Sequence, residues 1–86
     1  MVSGKGDKVN IERKYIVETI DDMSKRLEHI KNVISNFENE INHLNEQDDF
    51  GIGIRKGYIG AHKLEVEFLE RQITFFKRCI RKIIFN

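Results

Sequence analysis

The sequence predicts an all-α protein: an antiparallel helical hairpin of two long heptad-patterned helices that self-associates into a four-helix bundle. Three observations carry this reading. From Ile16 to Leu44 the large apolar residues fall at Ile16, Ile20, Met23, Leu27, Ile30, Ile34, Phe37, Ile41 and Leu44, in alternating steps of 4 and 3. That mean of 3.5 residues is the period at which a helix keeps one apolar seam toward a neighbouring helix. A second seam with the same spacing runs through Ile59, His62, Val66, Leu69, Ile73, Phe76, Ile80 and Ile83. Between them lies a glycine-containing break, and the 86 residues contain no proline to interrupt either helix.

Taken in order, residues 1–8 are small and polar, with glycines at 4 and 6, and read as a flexible tail ahead of a single domain over residues 9–86. The first helix is expected over about residues 10–46. Asn10 can cap its first amides, and Glu12 places negative charge at the positive end of the helix dipole. The pairs Asp21 with Lys25 and Asp22 with Arg26 are acid-before-base at i, i+4, the favourable order on a helix surface.

Residues 47–57 contain Gly51, Gly53 and Gly57 and are expected to form the connection. Phe50, Ile52 and Ile54 with Arg55 and Lys56 make that connection apolar enough to be packed or used, which nominates it as a partner-binding loop. The second helix is expected over about residues 58–85. In the simplest register Leu44 meets Ile59, Phe37 meets Val66, Ile30 meets Ile73, and Met23 meets Ile80.

Such a hairpin leaves two groups of apolar residues uncovered. Ile11, Tyr15, Ile16 and Val17 fall beyond the end of the second helix. Leu64, Phe68, Phe75 and Cys79 form a stripe facing away from its seam. Leaving Leu64, Phe68 and Phe75 in water forgoes about 5 to 9 kcal/mol of burial, comparable to the net stability of a small domain. These eight residues are therefore the expected interface of a homo-oligomer, most simply a dimer.

Charge and composition narrow the function classes. The net charge is only +1, but residues 71–86 carry Arg71, Lys77, Arg78, Arg81 and Lys82 with no acid, while residues 27–70 hold nine acids and four bases. Lys77, Arg78, Arg81 and Lys82 complement the negative end of the helix dipole. With Arg13 and Lys14 brought to the same end, they also form a candidate phosphate-binding surface, which would act on a nucleic-acid backbone without reading sequence. The same segment fits a basic amphipathic helix on an anionic membrane, although Phe76, Ile80 and Ile83 already have partners in the hairpin seam.

No catalytic constellation is present. Ser3, Ser24 and Ser35 lack a histidine and an acid placed around them, and Asp48 with Asp49 sits in a polar stretch unsuited to acid–base work. Gly51, Gly53, Gly57 and Gly60 do not have the spacing of a phosphate-binding glycine loop. His29, His43 and His62 make no i, i+4 ligand pair; convergence of His43 and His62 with Glu46 or Glu65 would need the hairpin register to close it. No metal and no cofactor is expected. A single cysteine, the absence of a signal-peptide pattern and the absence of a membrane-length apolar run make the cytoplasm the expected location.

The function expected from these features is non-enzymatic protein binding: an adaptor, an assembly factor or a small stoichiometric inhibitor that acts as a helical homo-oligomer. A nucleic-acid-associated protein using the basic end is the alternative, followed by peripheral membrane association.

Overall fold

The computed structural model describes the backbone of residues 4–85 and the side chains of residues 10–83. Two helices account for nearly all of it: α1 over Gly4–His43 and α2 over Asp49–Phe85. They pack antiparallel along their lengths as an all-α hairpin, and no strand is present among the described residues.

The seams do what their spacing predicts. Ile30, Ile34, Ile59, Leu69 and Ile73 are buried, with Ile30 only 1% exposed, and Met23, Leu27, Phe37, Ile41 and Val66 pack against the first four. The molecule measures 71 × 18 × 14 Å, which is two helices wide and one helix deep. Each helix therefore has a single protein neighbour, and the core is one thin seam between them.

Both helix boundaries differ from the expectation. Residues 4–8, expected in the tail, are helical; nothing from Gly4 to Asn10 lacks an amide, so the ladder continues through Gly4 and Gly6 at a propensity cost of about 1 kcal/mol per glycine. Residues 1–3 of that expected tail lie outside the described residues. At the other end α1 stops at His43 rather than about residue 46, and the connection is five residues long instead of the expected 47–57. Asn45 Oδ1 accepts the Gln47 amide at 3.0 Å, and the Asp48 amide donates to Asn45 O at 2.9 Å. This Asx turn reverses the chain within residues 44–48.

Asp48 then caps α2. Its Oδ1 accepts the Gly51 amide at 3.0 Å, and its carbonyl accepts the Ile52 amide at 3.0 Å. Asp49 adds negative charge in the first turn. The glycines expected to bend a loop are helical residues without a positive φ.

The earlier turn slides the pairing. Phe37 stacks on Tyr58, with centroids 5.4 Å apart, and lies 6.2 Å from the His62 ring, one to two turns before its expected partner Val66. Arg26 Nε donates to Glu65 Oε1 at 3.2 Å across the hairpin, and Arg55 Nε lies 3.5 Å from Glu40 Oε2. On α1 itself Lys25 Nζ contacts Asp21 Oδ2 at 3.0 Å; that hydrogen bond first, and the charge of Asp21 second, raise the lysine pKa above its ordinary value.

The shift also removes most of the expected overhang. Counting back from Phe37 by the residues that separate Tyr58 or His62 from Phe85 reaches Asn10 or Lys14. Ile16 and Val17 therefore lie level with α2 rather than beyond it. Ile16 is half-buried, while Ile11, Tyr15 and Val17 remain exposed.

Candidate interaction surfaces

α2 is apolar on two sides because its sequence carries two interleaved 4-and-3 patterns. One is the hairpin seam. The other begins earlier than the sequence reading placed it: Phe50, Ile54, Gly57, Ala61, Leu64, Phe68 and Phe75 keep the same steps along the far side of the helix, with the exposed Arg71 at the one position between Phe68 and Phe75. All seven are exposed; the next position of the pattern is the exposed Arg78, and Cys79 beside it is half-buried. Phe75 meets Phe76 edge to face at 5.6 Å, which ties the stripe to the seam near the end of α2.

The residues nominated as a partner loop are thereby divided. Ile52 and Arg55 are half-buried on the hairpin side. Arg55 is held there by an Nη1–H donated to Gly51 O at 3.1 Å and by the Glu40 carboxylate, with its Nε buried and without a hydrogen-bonded acceptor. Phe50 and Ile54 belong to the exposed stripe, and Lys56 points to solvent near Glu38 and Asn42. The helical cue that sequence reasoning missed is Asp48 followed by Asp49, a cap and a first-turn acid, three residues ahead of Gly51.

The outer face of α1 is different. From Glu18 to His43 every exposed residue is polar. Only its first third is apolar outside, where Ile11, Glu12, Tyr15 and Ile16 line a shallow groove. Of the eight residues expected in an oligomer interface, Leu64, Phe68 and Phe75 thus share one exposed face with Phe50 and Ile54, with half-buried Cys79 at the end of that face. Ile11, Tyr15, Ile16 and Val17 stand apart on the other helix.

Lys77, Arg78, Arg81 and Lys82 are exposed near the end of α2, and Arg13 and Lys14 are exposed at the level of that end on α1. Exposed Glu12, Glu18, Asp21 and Asp22 share this part of α1, so the positive field lies on the α2 side of the hairpin.

Neither histidine of the hypothetical metal site is free to turn its Nδ1 toward an ion. His43 Nδ1–H donates to Asn39 O at 2.8 Å and His62 Nδ1–H to Tyr58 O at 2.6 Å, each one turn back on its own helix. Among the described residues no three histidines, cysteines or acids converge as a metal site, and no helix is long and apolar enough to cross a membrane. What this arrangement offers chemically is surface: an apolar stripe on one face of α2 and a basic end. Comparison with protein-family models, with curated proteins and with solved structures finds no match to this chain.

Proposed function

We propose that this chain is a protein-interaction module without catalytic activity, an adaptor, assembly factor or stoichiometric inhibitor that works as a helical homo-oligomer. One observation carries the reading. Phe50, Ile54, Leu64, Phe68 and Phe75 are exposed together on the side of α2 away from α1. A contiguous apolar face of this kind marks an association surface, and a seam two helices wide leaves the hairpin little core of its own. In an oligomer this face is covered by further copies, while the polar outer face of α1 remains for a different protein. Light scattering at micromolar concentration should give at least twice the 10.2 kDa chain mass; a monomer mass removes the homo-oligomer. Affinity capture that survives nuclease treatment supports a protein partner, and capture lost with nuclease rejects it.

The exposed cluster Lys77, Arg78, Arg81 and Lys82, level with Arg13 and Lys14, favours a second reading, binding to a nucleic-acid backbone. Fluorescence anisotropy with duplex and single-stranded probes at low salt tests it. Binding should weaken steeply with added salt and disappear when the four α2 bases are changed to Gln.

A further inference from the structure

We infer that the occupant of the exposed α2 face is the same face of a second copy, docked antiparallel about a two-fold axis between His62 and Lys63, with Phe68 of each chain seated over Gly57 of the other. The inference rests on the homo-oligomer reading above and specifies its geometry. It follows from three properties of the stripe.

The first is area. Phe50 is 79% exposed, Leu64 68%, Phe75 56%, Phe68 52% and Ile54 40%. Taking about 200 Å² for a large apolar residue, those fractions amount to about 1,100–1,200 Å² over two copies before any flanking residue is counted. A specific interface starts at about 1,000–1,200 Å² in total.

The second is shape. In an antiparallel pair the two kinds of seam position face one another across the axis. Centred between His62 and Lys63, this arrangement sets Phe50 against Phe75, Gly57 against Phe68, and Ala61 against Leu64, each pairing occurring twice. The largest side chain near the middle therefore meets the smallest residue. A Cβ built on Gly57 has nothing within 4 Å in the hairpin itself, so the intramolecular packing does not require glycine there. A parallel pair would instead oppose Phe68 to Phe68 and Gly57 to Gly57, leaving a bulge and a void along one seam.

The third is charge. All five bases of the last fifteen residues of α2 follow its last acid, Glu70. Parallel docking lays these two groups of five positive charges side by side. Antiparallel docking separates the two groups: Lys77 and Arg78 come level with Asp48 and Asp49 at the start of the copy's α2, and Glu70 comes level with Arg55. Because the stripe lies nearly opposite the hairpin seam, and the outer face of α1 is polar from Glu18 onward, the product is a flat array of four helices with α2 and its copy in the middle. That differs from a closed square bundle, in which every helix turns two adjacent faces to one shared core.

The test uses the full chain carrying Cys79→Ser, spin-labelled through Glu67→Cys or Arg78→Cys, at concentrations where light scattering gives a dimer. The antiparallel rise of 1.5 Å per residue predicts label pairs about 15–25 Å apart at position 67 and about 45–50 Å apart at position 78. A monomer at all accessible concentrations overturns both the homo-oligomer reading and this geometry. A dimer with short distances at both positions overturns the geometry alone. Exchange of sizes gives a second readout. Phe68→Ala and Gly57→Phe each weaken dimerisation by about ten-fold or more, and the two together recover most of that loss. Both positions are exposed in the hairpin, so its helical circular dichroism should persist. Failure of the double variant to recover overturns the Phe68–Gly57 pairing.

Discussion

Asp48 stands where the turn ends and α2 starts: its amide closes the turn on Asn45 O, and its carboxylate caps the helix. Its Oδ1 holds the Gly51 amide at 3.0 Å, so Asp48→Ala should cost about 1 kcal/mol, read as a lower urea midpoint at fixed protein concentration. The glycines that follow are not equivalent. A Cβ on Gly51 falls 2.6 Å from Asp48 Oδ2, so Gly51→Ala displaces the capping carboxylate and forfeits part of what it gains in helix propensity. A Cβ on Gly53 meets nothing within 4 Å, so Gly53→Ala should stabilise by about 0.5–1 kcal/mol. The same urea titration ranks the three variants, and a Gly51→Ala gain equal to that of Gly53→Ala would contradict the crowding at the cap. Ile30, almost without solvent contact at the centre of the seam, sets the opposite scale: Ile30→Ala should cost about 2–5 kcal/mol.

At the scale of the helices, what was legible in the sequence and what was not divide along a physical line. Large aliphatic residues every 3.5 positions identify two helices and the side each buries, and Ile30, Ile34, Leu69 and Ile73 are buried as that spacing requires. Register is another matter. Two uniform heptad seams look alike after a slip of seven residues, so periodicity does not distinguish Phe37 against Val66 from Phe37 against Ile59, the neighbour of the Tyr58 on which it stacks. The turn breaks the tie, and its position is set by Asn45 and Asp48 rather than by the glycines. Reading Gly51, Gly53 and Gly57 as a loop hid the start of α2 and, with it, the membership of Phe50 and Ile54 in the stripe already visible at Leu64, Phe68 and Phe75. A double-mutant cycle tests the observed register: Phe37→Ala with Tyr58→Ala should show a coupling of about 0.5–1.5 kcal/mol from their stacked rings. The ion pair of Arg26 with Glu65 joins the same helices on an exposed edge, and Glu65→Gln should cost under about 1 kcal/mol, less still at high salt.

For the molecule as a whole, the two candidate surfaces respond to conditions in opposite ways, and this separates protein association from phosphate binding without knowledge of the partner. A rod 71 Å long and one helix deep has a small core, so closing the α2 stripe adds an appreciable share of the apolar burial available to it. Folding coupled to self-association makes the thermal midpoint rise with protein concentration. Phe68→Glu, which puts a charge in the middle of the stripe while leaving Ile30 and its neighbours untouched, should abolish that rise and lower the midpoint toward a concentration-independent value. Added sodium chloride should leave the apolar association in place, because no charged residue other than Arg71 interrupts the stripe between Phe50 and Phe75. Contacts made by Lys77, Arg78, Arg81 and Lys82 with phosphates would instead weaken steeply over the same salt range. A thermal midpoint independent of chain concentration in the unaltered protein, and unmoved by Phe68→Glu, would leave the exposed stripe without a role in self-association.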